Sequence, residues 1–108
     1  TAMQTIVDLY DAGIQLQQEG HLREAVGKLE ALLAHDAAYA LAHAALSVFY
    51  SRMEEHDKAV EHARKVCELE PDDPFSFMGM SLISQKAGRL PEAEQALWQA
   101  RQTQYGSG

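Results

Sequence analysis

Apolar residues recur along this chain at spacings of three and four, which is the period of an amphipathic α-helix. Near residue 80, for example, Phe77, Met80 and Ile83 form one such stripe. Helix-favouring alanine, leucine, glutamate and glutamine are abundant, and no run of valine, isoleucine or threonine indicates a strand. The pattern predicts an all-α fold with helices near 5–19, 22–34, 39–53, 57–69, 74–87 and 91–104.

The helical segments themselves repeat at a fixed interval. Residues 20–25 and 88–93 both read G-x-L-x-E-A and lie 68 positions apart, which is twice 34. At a period of 34 positions the chain has a column of alanines, Ala25, Ala59 and Ala93, and a column of small residues, Gly13, Ser47 and Ser81. Antiparallel helices approach closely only where side chains are small, so we expect the two columns to face each other.

This period and these columns resemble the tetratricopeptide repeat, W-x2-L-G-x2-Y, then A-x3-F, then P. The signature positions are occupied by Leu9, Ala12, Gly13, Leu16, Ala25, Leu29 and Ala37, then by His43, Leu46, Ser47, Tyr50, Ala59, Ala63 and Pro71, and finally by Phe77, Met80, Ser81, Ser84, Ala93, Leu97 and Tyr105. The chain departs from the signature where His43 replaces the aromatic residue, Ser84 the tyrosine and Glu54 the turn glycine. The resemblance implies a right-handed solenoid of three helical hairpins, with six antiparallel helices and repeats at about 6–39, 40–73 and 74–105. We expect residues 1–105 to form one domain and residues 106–108 to be an added tail.

Several residues predict where helices begin and end. Gly20 and Gly88 suit the left-handed conformation that terminates a helix. Asp57 is expected to cap the fourth helix, and Thr5-x-x-Asp8 resembles a capping box. Pro91 lies in a first turn, where proline is tolerated.

The fifth helix carries more apolar residues than its core-facing stripe requires. Phe75, Met78 and Leu82 form a second stripe, and steps of 34 positions lead from them to apolar residues in the earlier repeats. The nine positions predicted as a groove floor are Val7, Tyr10, Ile14, Leu41, Ala44, Val48, Phe75, Met78 and Leu82. Arg52 and Lys86, which are related by the same period, are expected at its edge.

The resemblance implies that the first helices of the repeats line a concave groove and that this groove binds a ligand. We expect a scaffold that binds a peptide or helix of a partner protein, either amphipathic or extended and carrying some acidic residues. The alternatives are a self-associating assembly module, a chaperone of the bacterial secretion type, or an accessory domain of a larger protein. The floor could also be covered by superhelix curvature, a further helix or a second copy. A clamp for the C-terminal carboxylate of heat-shock chaperones is not expected, because the matching interior positions are Tyr10, Ile14, Ala45, Phe75 and Gly79.

The last helix differs from its two counterparts. Polar residues replace apolar ones at Arg101 and Thr103, which predicts that the array ends near this point. Trp98 stands where the earlier repeats have Glu30 and Arg64. An exposed tryptophan there predicts a second interface, which could serve self-association, although partial burial under the tail would also explain it.

Composition excludes several other classes of function. A net charge of −7 and a pI near 5.1 argue against binding to nucleic acid or to anionic lipid. No apolar stretch reaches the roughly 18 residues that a membrane span needs. The single cysteine, Cys67, fits a reducing, cytoplasmic setting. We expect no metal, no cofactor and no enzymatic activity, because neither the five histidines nor the carboxylates show the spacing of a metal or catalytic site. Most of the histidines are assigned to surface or turn positions.

Overall fold

The computed structural model describes residues 1–105, and the expectation about residues 106–108 lies outside them. The helices are α1 (Ala2–Gln18), α2 (Leu22–His35), α3 (Ala40–Arg52), α4 (His56–Leu69), α5 (Pro74–Lys86) and α6 (Leu90–Tyr105). No strand occurs in the described residues, so the all-α prediction is confirmed. Every predicted helix end lies within three residues of the observed one.

Consecutive helices pair into three hairpins: α1 with α2, α3 with α4, and α5 with α6. The hairpins then stack through contacts of α2 with α3, of α4 with α5, and of α3 with α5. In the first hairpin, a Cβ atom placed on Gly13 would lie only 3.1 Å from Leu29 and 3.4 Å from the carbonyl oxygen of Ala25. The small-residue column therefore faces the alanine column there, as predicted, and the members of both columns in the other two hairpins are also buried.

The core follows the stripes read from the sequence. Phe77, Met80 and Ile83 are buried, which confirms the core-facing side of α5. One apolar cluster runs through all three hairpins, and its fully buried large members include Leu29, Leu32, Leu46 and Val60. Each hairpin therefore relies on its neighbour to cover part of its apolar surface.

The three hairpin turns share one backbone geometry. Gly20, Glu54 and Gly88, which occupy the same position in successive repeats, have positive φ angles of 89°, 60° and 77°. The next residue in each turn donates its N–H to a carbonyl oxygen five positions back, at 2.8–2.9 Å. This is the bond that closes a Schellman motif, and glycine is favoured there because it has no Cβ. Glu54 adopts the same conformation as the two glycines even though its Cβ makes that conformation less favourable.

Two predicted caps are wrong. Helix α1 begins at Ala2, with the Thr1 side chain accepting a hydrogen bond from the Gln4 N–H, so Thr5 and Asp8 lie inside the helix. Helix α4 begins at His56, which places Asp57 in its first turn rather than at the cap. Asp57 instead forms a salt bridge with Arg89, which connects the second hairpin to the third.

The Asp57–Arg89 pair has a counterpart of opposite polarity between the first two hairpins. There Arg23 pairs with Glu55 at 3.5 Å, and these two residues lie one repeat before Asp57 and Arg89. Exposed ion pairs add little to stability, each on the order of 0–1 kcal/mol. Direct stacking of the first hairpin on the third would place Arg23 against Arg89, so the two pairs disfavour that arrangement.

We predict that Glu54→Gly stabilises the protein by roughly 0.5–1 kcal/mol, because glycine removes the cost of a left-handed residue that carries a Cβ. For a chain of this size, the melting temperature should rise by about 2–6 °C. Circular dichroism during heating measures the change. Glu54→Ala is the matched control, because it removes the same carboxylate but keeps a Cβ. An equal rise in both variants would attribute the effect to the side chain and contradict the backbone explanation.

Candidate functional site

The nine predicted floor positions lie on the first helices of the three hairpins, and none of them is fully buried. The exposed ones are Phe75 (75%), Leu41 (57%), Leu82 (53%), Val7 and Met78 (40% each) and Val48 (39%). Tyr10, Ile14 and Ala44 are half-buried. Globular proteins seldom leave so many large apolar side chains uncovered in one region unless something binds there.

Four of the predicted site residues line a single pocket between α3 and α5. Val48 and Leu82 supply its apolar walls, and Arg52 and Lys86 its basic groups. The pocket, with a volume of about 380 Å³, is completed by Ser51, Glu54, His56 and Ile83. Neither Arg52 nor Lys86 forms a salt bridge with another residue in 1–105. Their charges therefore face solvent, where they are free to meet an acidic group.

The remaining predicted residues do not line that pocket. Tyr10 and Ile14 pack against the edge of the core, and the Tyr10 ring meets the Tyr39 ring edge-on, with 6.1 Å between centroids. Leu41 and Phe75 lie in the first turns of α3 and α5, where they are the most exposed members of the set. Trp98 lies on α6, away from the pocket, and is 55% exposed.

A pair of histidines lies within the second hairpin, beside its junction with the first, and sequence reasoning missed it. The Nδ1 atoms of His43 on α3 and His62 on α4 lie 2.9 Å apart. His43 Nε2 lies 2.8 Å from the Ala37 carbonyl oxygen and must carry a proton to donate to it. In neutral His43 the Nδ1 atom is then an acceptor, so His62 Nδ1–H is the donor. These two hydrogen bonds together fix the tautomers of both neutral rings.

The surroundings of His62 disfavour its charged form. The ring is stacked on Tyr50, with 5.6 Å between centroids and 10° between planes. Burial lowers the pKa of His62, although the Glu30 carboxylate 3.9 Å from Nε2 acts in the opposite direction. Burial, with help from the Glu30 carboxylate that accepts a hydrogen bond from the hydroxyl, raises the pKa of Tyr50 to about 12. His62 is thus an exception to the surface or turn positions assigned to most histidines, and it lies between Tyr50 of α3 and Glu30 of α2.

The junction between the second and third hairpins lacks this stack of rings. One repeat later, Ala96 takes the place of His62, Phe77 that of His43 and Ser84 that of Tyr50. A cleft of about 350 Å³ lies here, lined by Arg64, Cys67, Phe77, Met80, Pro91, Glu92, Gln95, Ala96 and Gln99. A pocket of about 430 Å³ occupies the equivalent place beside His43 and His62 at the first junction. Burial raises the pKa of the Cys67 thiol to about 11, so Cys67 is a weak nucleophile.

No helix among residues 1–105 combines the length and hydropathy required to cross a membrane. Within the same residues, no group of three or more histidine, cysteine, aspartate or glutamate side chains is arranged to hold a metal ion.

The fold is that of the tetratricopeptide repeat. The chain superimposes on the crystal structure of MamA with a TM-score of 0.85 and 24% identity, over 94% of this chain and 60% of MamA. It matches the second TPR of Spaghetti (RPAP3), bound to the HSP90 peptide SRMEEVD, with a TM-score of 0.80 and 21% identity over 91% of both chains. It also matches SycD, a type III secretion translocator chaperone of Yersinia enterocolitica, with a TM-score of 0.81 and 21% identity, over 93% of this chain and 76% of SycD.

This chain spans less than two thirds of the MamA chains that it matches. No family model and no curated protein matches its sequence. The likeness therefore rests on the arrangement of six helices, and it establishes the architecture.

One short sequence coincidence follows from this comparison. The HSP90 peptide SRMEEVD differs from residues 51–57 of this chain, SRMEEHD, only at His56. Here the segment forms the end of α3, the hairpin turn and the start of α4. Because the segment is part of the folded helices and their turn, it is not available as a free peptide, and the match does not indicate a binding partner.

We predict that acid destabilises this protein partly through His62. The pKa of His62 is lowered in the folded state, so folding favours its neutral form. The resulting contribution to the unfolding free energy is complete above the ordinary histidine pKa of about 6.5. It is lost as the pH falls from that value towards the pKa of His62 in the folded protein. Urea unfolding at pH 7.5 and pH 5 measures the change in unfolding free energy. His62→Gln is the control, because its amide N–H can still donate to His43 but does not titrate. The wild type should lose more stability than the variant, and equal losses would show that His62 is not involved.

Proposed function

We propose that this chain is a protein-interaction scaffold that holds a peptide or helix of a partner protein against α1, α3 and α5. The observation that carries the proposal is the pocket in which Val48 and Arg52 of α3 face Leu82 and Lys86 of α5. Apolar side chains recur at the repeat period on all three first helices, so a long segment would find similar contacts along the whole face. Burying such apolar surface contributes about 25 cal/mol per Å² to the binding free energy, from which the entropic and desolvation costs of association are subtracted.

The chemistry of this face indicates what the partner segment carries. Apolar side chains would cover the residues around Leu82, and an acidic side chain would pair with Arg52 or Lys86. An amphipathic helix and an extended strand both provide this combination. Met78 adds a flexible, polarisable side chain, which lets one groove accept different apolar groups.

The comparisons support binding rather than catalysis as the mode of action. One similar structure is a TPR bound to a peptide, and another is a secretion chaperone. We therefore propose a chaperone-like or scaffolding role without chemical turnover. A reducing, cytoplasmic compartment suits the half-buried thiol of Cys67, which donates to the Ser76 carbonyl oxygen at 3.3 Å.

We predict that Leu82→Asp and Met78→Asp each weaken peptide binding by at least about tenfold, because a central apolar contact contributes more than about 1.4 kcal/mol at a binding hot spot. Peptides selected from a displayed random library on the wild type, then synthesised, serve as probes in fluorescence anisotropy. Ala31→Asp makes a similar change on the exposed part of α2 and should leave binding unchanged. Undiminished binding by both groove variants, with normal helicity, would refute the groove.

A second prediction concerns the charge of the selected peptides. Acidic residues should be enriched among them, and Arg52→Glu should weaken the acidic ones about three- to tenfold, because a rim charge contributes roughly 0.5–1.4 kcal/mol. Lys86→Glu should act in the same direction. Raising the salt concentration should reduce binding of the wild type more than that of the variants. Equal affinity for peptides whose acidic residues are replaced by glutamine would contradict this electrostatic role.

A further inference from the structure

The outer side of α6 carries a continuous stripe that no other helix covers within residues 1–105. Six positions fall within a sector about 100° wide, given about 100° of rotation per residue. They are Leu90, Glu94, Leu97, Trp98, Arg101 and Tyr105, and all six are exposed. The stripe therefore combines four large apolar side chains with one acidic and one basic residue.

Two positions of the stripe correspond to positions that are buried in the first two hairpins. Val26 and Leu29 on α2 are buried, and so are Val60 and Ala63 on α4. Their equivalents on α6 are Glu94 and Leu97, which are exposed. The stripe thus includes positions that are buried in the earlier hairpins, although the equivalents of Trp98 and Tyr105 are exposed there.

The substitutions on this surface do not simply make it more polar. Glu94 and Arg101 introduce charge, but Trp98 replaces the charged residues Glu30 and Arg64 of the earlier repeats. Tyr105, 74% exposed, stands where those repeats have Ala37 and Pro71. A surface adapted only to water would not gain two aromatic residues, which are typical of interfaces.

The order of residues in the stripe is symmetric about the point midway between Leu97 and Trp98. Leu90 and Tyr105 are equally far from that point, and so are Glu94 and Arg101. Glu94 and Arg101 are seven positions apart, or about 10.5 Å along the helix axis, so they are too distant to pair within one chain. Neither forms a salt bridge with another residue in 1–105, which leaves both charges available.

We propose that α6 pairs with the α6 of a second copy of this chain in an antiparallel, two-fold symmetric dimer. In that arrangement Glu94 lies level with the second copy's Arg101, and the two-fold axis repeats the contact. Leu90 lies level with the second copy's Tyr105, and Leu97 and Trp98 of both copies meet at the centre. Opposite charges at matching distances from the centre favour a second copy over an unrelated helix.

This inference does not rest on the proposed groove, which lies on other helices. One helix pair of this length buries less surface than a standard protein–protein interface, so a weak dimer is expected, with a dissociation constant on the order of 10–100 μM. Sedimentation equilibrium from about 5 μM to about 1 mM, which brackets that range, should therefore show a reversible monomer–dimer equilibrium in the wild type.

Charge reversal tests the register of the dimer. Glu94→Arg and Arg101→Glu each place like charges together at two symmetric sites, and each should weaken the dimer at least about tenfold. The double variant E94R/R101E restores opposite charges and should return the dissociation constant to within about threefold of the wild type. Trp98→Ala should also weaken the dimer, with helicity unchanged by circular dichroism.

Several results would overturn the proposal. A wild type that stays monomeric at the highest concentration would exclude the second copy as the occupant of the stripe. A dimer that persists in both single reversals, or is not restored in the double variant, would exclude this register. Leu82→Asp is the control for the groove and should leave dimerisation unchanged; loss of the dimer in that variant would show that the copies meet through the groove instead.

Discussion

The close approach of the two helices within each hairpin is the constraint on which the other features depend. Gly13 leaves room for Leu29 because it has no side chain, and the two serines at the equivalent positions are buried. The closeness fixes which side of each helix faces inward. Residues at other positions are then directed to the next hairpin, to the groove or to water. A fixed period in the sequence thereby becomes a row of equivalent positions in space.

Local periodicity explains how much could be predicted from the sequence. The helices, the turns and the exposed floor residues depend on spacings of three, four and 34, which are visible in one chain. Even the left-handed conformation of Glu54 follows from its place between Gly20 and Gly88. Contacts between hairpins were not predicted, because they depend on the distance and angle at which hairpins stack. Asp57 suited a helix cap by its position alone, whereas its actual partner, Arg89, lies 32 positions away in the next hairpin.

The histidine pair illustrates the same limit. His43 was correctly placed in the position of the missing aromatic residue, but nothing in the sequence linked it to His62, 19 positions later. The contact exists because α3 and α4 run antiparallel and Tyr50 supports the second ring. The first junction between hairpins therefore carries stacked polar aromatic rings, whereas the second has Phe77, Ser84 and Ala96 at the equivalent positions. The two junctions therefore differ in packing although the backbone repeats.

The cleft beside Ala96 has a mechanical consequence. It lies between α4 and α6, whereas the pocket of Val48 and Leu82 lies between α3 and α5, on the other side of the contact that α4 makes with α5. If the third hairpin rotates as a rigid body about that contact, closing the cleft opens the pocket, and closing the pocket opens the cleft. A molecule bound in the cleft beside Cys67 would then narrow the pocket of Val48 and Leu82. The width of the groove would thus depend on a surface that the groove's ligand does not contact.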